Sequence, residues 1–229
     1  MRQIILDTET TGLSHEEGDR IIEIGCIELK SRQMTKNHFH HYINPERDVP
    51  EEAIAIHGIT NEFLADKPGF AEIAEAFCDY IRGAELIIHN APFDVGFLNA
   101  ELARLGLPRI DELTTKVTDT LAMARDFFPG RRNSLDALCE RYEIDNTHRE
   151  LHGALVDSAL LGEVYLTMTR GQEALGIELA SHLDDLSNVP FKADIVVRKV
   201  TPKEEAEHEA YLDEISKKAK APIVWRRQD

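Results

Sequence analysis

The chain has 229 residues, which is enough for one sizeable hydrophobic core and an appended segment. Its composition, 42% hydrophobic and 30% charged residues, is typical of a soluble globular protein and excludes a chain that is disordered throughout. The net charge of −16 excludes a protein that holds nucleic acid by bulk electrostatic attraction, so any such contact must be local or supported by a partner.

Three short segments in the first part of the chain are predicted to form strands. They are an apolar run at 3–7, an isoleucine-rich run at 20–29 and a third segment at 38–43 that ends at Asn44-Pro45. Because the connections between them are short, we expect these strands to pair antiparallel.

The period of the pattern then changes, and helices alternate with strands. Apolar residues at helical spacing predict helices over 70–81, 97–105, 135–142 and 155–168, with a strand at 86–89 and a further strand and helix within 117–128. Three antiparallel strands followed by alternating helix and strand indicate one mixed α/β domain that ends near Gly171.

The remainder of the chain has a different character and predicts a partner-binding tail. We divide the sequence into a domain at 1–171, a linker at 172–190 and a C-terminal segment at 191–229. Within that segment 194–200 resembles a strand, and Thr201-Pro202-Lys203-Glu204 is a typical helix start. Its apolar content is too low for an independent core, so we expect it to fold on a partner.

Cysteine usage and the N-terminus bear on location. Cys26, Cys78 and Cys139 are an odd number and widely spaced, so neither a disulfide framework nor a zinc site is predicted. Acidic Asp7 and Glu9 come too early for a signal peptide, and no apolar run approaches the roughly 20 residues of a membrane helix. We therefore expect a cytoplasmic protein with no membrane segment.

Two carboxylates close the first predicted strand. Asp7 and Glu9 are two residues apart, so they project from one face of the strand. Two like charges at this distance repel unless a cation or a proton lies between them. The alternative interpretation is a solvated strand end.

Two further acidic residues and one histidine lie near predicted helix starts. Asp94 follows the strand at 86–89 and has the alternative role of an N-cap. Asp157 falls in an apolar stretch, where an unpaired carboxylate is costly, although an acidic residue also suits a helix N-terminus. His152 lies in the loop before that helix.

These residue types favour two hard divalent cations. Oxygen ligands suit Mg²⁺ or Mn²⁺, whereas zinc prefers more nitrogen or sulfur. Several carboxylates can hold two ions about 3.5–4 Å apart, an arrangement used for in-line phosphoryl displacement. An imidazole can accept a proton near neutral pH, so His152 suits a general base for the attacking water.

Taken together, the three motifs resemble those of the DEDDh 3′–5′ exonuclease family. The matching segments are Asp7-Thr8-Glu9-Thr10-Thr11-Gly12, His89-Asn90-Ala91-Pro92-Phe93-Asp94 and His152-Gly153-Ala154-Leu155-Val156-Asp157, in the same order and spacing. The resemblance implies an RNase H-like fold with a mixed five-stranded sheet flanked by helices. It also implies metal ligation by the four carboxylates (Asp7, Glu9, Asp94, Asp157) and a general base at His152.

Further segments, at 66–68, 79–86, 116–119 and 133–139, resemble the proofreading epsilon subunits of bacterial DNA polymerase III. This resemblance implies that the terminal nucleotide contacts Glu52, His57 and Phe93 in addition to Asp7, Glu9 and Asp157. From the residues alone, Phe93 is open to two interpretations, a base-stacking side chain or core packing. His57 is likewise open to the interpretation of an ordinary loop histidine.

The same resemblance implies partners for the tail. The C-terminal segment would bind the polymerase catalytic (alpha) subunit, and Gln172, Leu175 and Ile177 resemble a motif that binds the sliding clamp. Ile177 replaces the aromatic residue of that motif, and a plain linker is the alternative. Arg131-Arg132 is a small basic site that could meet a phosphate or remain solvated.

The sequence therefore predicts a two-metal 3′–5′ exonuclease that removes mispaired nucleotides from a DNA 3′ end as nucleoside 5′-monophosphates, tethered to a replicative polymerase. One alternative is a free-standing DEDDh exonuclease that acts on RNA or oligonucleotides. Another is a structural polymerase subunit with an idle site. The long tail disfavours the first alternative, and the complete set of five catalytic residues disfavours the second.

Overall fold

The chain divides into two compact units, Met1–Ile177 and Glu178–Asp229. The computed structural model describes residues 2–147, 151–170 and 200–219. Within these ranges no helix is long and apolar enough to cross a bilayer. The sheet and every predicted catalytic residue belong to the first unit.

A single five-stranded mixed sheet forms the centre of the first unit. Its strands are β1 (Arg2–Thr10), β2 (Ile21–Lys30), β3 (Gln33–Tyr42), β4 (Glu85–Ile88) and β5 (Lys116–Asp119). The strand order is β3-β2-β1-β4-β5, with β1, β2 and β3 antiparallel and β4 and β5 parallel to β1. The predicted antiparallel pairing and the mixed five-stranded sheet are both confirmed.

Helices flank this sheet. In chain order they are α1 (Glu51–His57), α2 (Asn61–Leu64), α3 (Phe70–Ile81), α4 (Ala91–Arg104), α5 (Ile110–Leu113), α6 (Thr120–Phe127), α7 (Leu135–Tyr142) and α8 (Ala154–Met168). A short 3-10 helix at His15–Glu17 follows β1.

The alternation of side chains along β1 divides the core between the two faces of the sheet. Ile4 and Leu6 pack into the cluster that contains Phe77 of α3 and Phe97 of α4. Ile5 faces the other way, into the cluster that α8 completes. Because both faces are covered, the central strands are apolar throughout, and this explains why they were recognisable as short apolar runs.

The structure differs from the sequence prediction at several element boundaries and contains short helices that were not predicted. The helix α4 begins at Ala91 rather than near residue 97, because Pro92 needs no hydrogen-bonded N–H in a first turn. Strand β3 begins at Gln33, five residues before the predicted start, because exposed polar side chains obscure its first half. The helices α1, α2 and α5 were not predicted, since four to seven residues are too few for a clear apolar period.

The second unit is described by one helix, α9 (Pro202–Ala219). Its start is a reciprocal cap: the Thr201 backbone N–H donates to Glu204 Oε2 at 2.8 Å, and the Glu204 N–H donates to Thr201 Oγ1 at 3.3 Å. The predicted linker at 172–190 lies outside the described residues, as does all but the last residue of the predicted strand at 194–200.

Candidate active site

A cleft of about 560 Å³ lies where the parallel strands β1, β4 and β5 end. The carboxyl ends of parallel strands meet at one edge of a sheet, and their loops commonly build the functional site there. The cleft is lined by all five predicted catalytic residues, namely Asp7, Glu9, Asp94, His152 and Asp157. Folding therefore brings acidic residues from three distant segments into one cavity.

Strand β1 supplies two of the carboxylates. Asp7 and Glu9 alternate with inward-packed residues, so both reach the cleft from one face of the strand. Glu9 is only 9% exposed. On the neighbouring strand, Asp7 is paired with Gly25 and Glu9 with Glu23.

Those two β2 residues receive the N-terminus of α8. A Cβ added to Gly25 would lie 2.3 Å from the carbonyl carbon of Ala154, so only glycine permits this approach. The helix begins after Gly153, which offers no capping side chain, and the Ala154 N–H instead donates to Glu23 Oε2 at 3.0 Å. The Ser158 hydroxyl also donates to the Gly25 carbonyl at 2.8 Å. Strand β2 thus fixes the first turn of α8 against the sheet.

That first turn carries Asp157, and the loop before it carries His152. Asp157 is 3% exposed, whereas the His152 side chain is 47% exposed. His152 Nδ1 lies 3.3 Å from Asp157 Oδ2, and the His152 backbone N–H donates to the Ile56 carbonyl at 3.2 Å. The histidine is thus held at the cleft by both its ring and its backbone, with part of the ring open to solvent.

The donor atoms at this end of the cleft fit a divalent cation. Ligand atoms of Glu9, His152 and Asp157 all lie within 4.8 Å of one another. Five carboxylates line the cleft, and oxygen donors are the ligands that Mg²⁺ and Mn²⁺ prefer. Two carboxylates and an imidazole this close together also favour a cation on electrostatic grounds.

Asp94 completes the acidic set from the first turn of α4. It is 3% exposed, and its Oδ1 accepts hydrogen bonds from the Thr8 N–H at 3.1 Å and the Thr8 hydroxyl at 2.7 Å. Burial raises the pKa of this carboxyl to about 7, against the lowering effect of the bonds from Thr8. The N-cap of α4 is Asn90, so the alternative role of Asp94 as an N-cap is wrong.

A second cavity of about 420 Å³ shares a wall with the cleft and contains the predicted nucleotide contacts. Glu9 and Phe93 line both cavities, while Glu52 and His57 line the second one only. Half of its other lining residues are apolar, namely Leu13, Pro50, Ala53 and Ile56. Apolar walls with a few polar groups suit a base and a sugar.

Two of these residues show how the pocket is prepared. Phe93 is half-buried and packs on Phe97 with ring centroids 4.9 Å apart, so it belongs to the core and to the pocket wall at once. His57 is 6% exposed, and its Nδ1 accepts the Ile59 N–H at 3.0 Å. Burial lowers the pKa of His57 and so favours the neutral ring, in which Nε2 carries the proton when Nδ1 is the acceptor.

Several residues at the cleft were not predicted as site residues from the sequence. Further residues that line the cleft are His89, Arg125, Asn133, Ser134 and Asp136. The positioning role of Glu23 was also missed, although a carboxylate within an otherwise isoleucine-rich strand was an available signal. The predicted clamp-binding residues Gln172, Leu175 and Ile177 lie outside the described residues.

Comparison with known sequences identifies similar proteins over nearly the whole chain. Residues 4–165 match the exonuclease family profile. The DNA polymerase III subunit epsilon of Escherichia coli K12 is 50% identical over 238 residues, which cover 98% of this chain and 97% of that protein. The corresponding subunit of Rickettsia prowazekii is 50% identical over 223 residues, which cover 94% of this chain and 97% of the relative.

Solved structures agree with this comparison. A complex of Exonuclease X with 5′-overhanging duplex DNA matches with a TM-score of 0.57 and 26% identity over 73% of this chain and 91% of that one. The nuclease domain of 3'hExo, described as a DEDDh family member bound to rAMP, matches with a TM-score of 0.64 and 20% identity over 74% of this chain and 92% of that one. The second likeness, at 20% identity, concerns the fold alone.

Proposed function

Because the chain belongs to the exonuclease family and, within it, to the epsilon subunits of DNA polymerase III, we propose that it removes mispaired nucleotides from DNA 3′ ends at the cleft described above. It is a metal-dependent 3′–5′ exonuclease and a proofreading subunit. The observation that carries the proposed site is the convergence of the three separate motifs on one cavity.

We assign two divalent cations, Mg²⁺ or Mn²⁺, to the four carboxylates of the cleft (Asp7, Glu9, Asp94 and Asp157). When bound, such ions activate a water molecule and stabilise charge on the leaving 3′ oxygen. The raised pKa of Asp94 supports this assignment, because a neighbouring cation favours the ionised form of a carboxyl whose charge is otherwise costly.

His152 is assigned as the general base. Its ring is partly exposed to the cleft and lies beside Asp157, whose carboxylate orients it and stabilises the protonated form. In the proposed step the imidazole accepts a proton from the attacking water, and the water oxygen forms a bond to phosphorus as the bond between phosphorus and the 3′ oxygen breaks. The 3′ oxygen takes a proton from solvent to become the new 3′ hydroxyl of the strand, and a nucleoside 5′-monophosphate leaves.

The terminal nucleotide is assigned to the second cavity. Glu52 and His57 provide polar contacts there, Phe93 provides a ring face for the base, and the sugar and phosphate extend toward Asp7, Glu9 and Asp157. A mispaired end frays more easily than a paired one, so it delivers a single strand to the cavity at lower cost. This difference would select mismatched ends.

The partners follow from the relatives, whose name places them in DNA polymerase III. We assign the segment 191–229 to the polymerase catalytic (alpha) subunit and Gln172, Leu175 and Ile177 to a weak contact with the sliding clamp. A cytoplasmic location is proposed on the same ground.

The test is digestion of end-labelled DNA with matched and mismatched 3′ ends, and of RNA, in Mg²⁺, Mn²⁺ or chelator. We expect 5′-mononucleotides from DNA, faster release at a mismatch, and no release in chelator. Asp7→Ala should lower kcat at least ~100-fold while the circular dichroism spectrum is unchanged. The matched control is Asp79→Ala, which removes an exposed carboxylate of α3 and should leave the rate unchanged.

The alternatives predict different results. A preference for RNA would indicate a free-standing exonuclease of the same family. Undetectable digestion of every substrate by the folded chain would indicate an idle site in a structural subunit. Wild-type rates in a folded Asp7→Ala variant would contradict the assigned metal role.

A further inference from the structure

Two arginines line the acidic cleft and have no role in the reaction described above. Arg125 lies on α6, and Arg131 lies in the loop between α6 and α7. Both are exposed, and among the described residues neither forms an ion pair. The chain has a net charge of −16, yet these two arginines at one cavity have no ion-pair partner among the described residues. This arrangement indicates a negatively charged ligand.

The loop that carries Arg131 is held in place by several hydrogen bonds. The Arg131 N–H donates to the Phe128 carbonyl at 3.2 Å, and the Asn133 side chain donates to the same oxygen at 3.3 Å. Arg141 donates to Asn133 Oδ1 at 3.1 Å and to the Arg132 carbonyl at 2.7 Å, with its guanidinium 4.3 Å from the Phe128 ring centroid. Arg141 is therefore used to build the loop, which leaves the Arg131 guanidinium available to a ligand.

We propose that Arg131, assisted by Arg125, binds a backbone phosphate of the DNA strand on the 5′ side of the scissile bond. This inference rests on the proposed function and extends it beyond the terminal nucleotide. A guanidinium recognises a phosphate by charge and hydrogen bonding and carries no base information. Sequence-independent contacts of this kind are what a proofreading enzyme needs, because it must act on any 3′ end.

The placement favours nucleic acid over an acidic protein surface as the ligand. Arg125 and Arg131 share the cleft with the carboxylates, so a strand bound for hydrolysis passes beside them. Arg132 is also exposed and is adjacent in sequence, but it does not line the cleft. The pair Arg131 and Arg132 thus offers a variant and a matched control with the same charge change.

The experiment compares two substrates with the full-length chain. One is a single-stranded oligonucleotide, and the other is the p-nitrophenyl ester of thymidine 5′-monophosphate. The only phosphate of this ester is the one that is hydrolysed, so it lacks the preceding backbone phosphate that Arg131 is proposed to bind. We expect Arg131→Ala to raise KM for the oligonucleotide about fivefold with little change in kcat, and to leave hydrolysis of the ester unchanged. In a plot of log KM against the logarithm of the salt concentration, the slope for Arg131→Ala should be smaller than that for wild type by about 0.7, the contribution of one phosphate contact. Arg131→Lys should recover part of the affinity, and Arg132→Ala should match wild type on both substrates.

Each other outcome overturns the proposal. Wild-type kinetics of Arg131→Ala on the oligonucleotide would exclude a phosphate contact at this residue. The same conclusion would hold if the variant had wild-type kinetics but bound the polymerase more weakly. An equal loss on both substrates would mean that Arg131 acts at the terminal nucleotide or in folding. If Arg132→Ala raised KM as much as Arg131→Ala, the effect would come from the change in net charge and not from a contact at Arg131. Failure of the wild-type chain on both substrates would instead refute the proposed function itself.

Discussion

Asp94 illustrates how function and stability conflict at a single residue. Its carboxyl is almost fully buried, one of its oxygens is occupied by Thr8, and burial raises its pKa to about 7. The charge that a metal site needs is therefore unfavourable in the metal-free fold. Under the proposed metal assignment, a bound cation would compensate for the burial of this carboxylate.

Asp94→Asn should stabilise the metal-free protein. The substitution keeps an oxygen for Thr8 and removes the charge. The folded-state pKa of about 7 lies above the usual 3.8, so the unfolded chain ionises first as the pH rises. The wild-type fold therefore loses stability from about pH 4 upward, and this loss reaches its full size above about pH 7. In chelator at pH 8 we expect the variant to gain on the order of 2 kcal/mol in the free energy of unfolding by urea.

The pH dependence provides the control for that measurement. At pH 5 the advantage of Asp94→Asn should be smaller, because most of the wild-type carboxyl is then protonated in the folded state. Equal stability of the two proteins at pH 8 in chelator would show that Asp94 is not destabilised by burial. Exonuclease activity of the variant should be lost at every pH.

At the scale of elements, the site depends on how closely α8 approaches β2. Gly25 leaves room for the backbone of Ala154, and Glu23 supplies the capping carboxylate that Gly153 lacks. Since Asp157 lies in the same first turn, its position relative to Asp7 is set by this contact rather than by the loop before the helix.

Gly25→Ala should therefore damage the site and the fold together. The new Cβ would lie 2.3 Å from backbone atoms, which cannot move as a flexible side chain can. We expect a loss of about 1–3 kcal/mol in stability and, because a shift of about 1 Å in a catalytic group is costly, roughly a 100-fold fall in kcat. Thermal unfolding and digestion of labelled DNA measure the two effects.

Gly69→Ala is the matched control for this glycine substitution. A Cβ at Gly69 would come no closer than 3.9 Å to another atom, the flexible Glu72 side chain, and the backbone φ of −70° is allowed for alanine. Its activity should equal that of wild type. If Gly25→Ala behaves like this control, close packing of α8 on β2 does not position Asp157.

The elements also show what the sequence can and cannot predict. The sequence pattern predicted part of every strand, although only the second half of β3 and no exact bounds for β5. Apolar spacing predicted the helices that pack on the sheet, such as α3 and α8. Through their joint resemblance to a family, the three motifs predicted five catalytic residues, and the fold brings all five to one cleft. Glu23 and Gly25 could not be assigned a role in this way, because that role exists only when α8 meets β2 in the fold. Short α1 escaped prediction for lack of a measurable period.

At the scale of the whole molecule, the acidic charge and the two-unit organisation are consistent with a division of function between this chain and the polymerase. A net charge of −16 does not favour DNA binding at long range, so the contacts that position the 3′ end are few and local. The first unit contains the cleft, and the second is a separate compact unit. We expect the polymerase to hold the duplex and this chain to act on the end.

Deleting residues 180–229 should separate these activities. The truncated chain keeps every residue of the cleft and should digest a labelled oligonucleotide at the wild-type rate. It should no longer co-elute with the polymerase catalytic subunit in size-exclusion chromatography. Full-length Asp7→Ala is the reciprocal control, because it should co-elute without digesting DNA. Co-elution of the truncated chain would remove the binding role from the C-terminal segment.

The proposed function requires that carboxylates from three distant segments form one divalent-metal site. Electron paramagnetic resonance of Mn²⁺, titrated into the protein with thymidine 5′-monophosphate present, counts the ions that this site binds. We expect about two bound ions per chain for wild type and a lower number for both Asp7→Ala and Asp157→Ala, since each removes a ligand from a different segment. Unchanged Mn²⁺ binding in both variants, or none in wild type, would contradict the account.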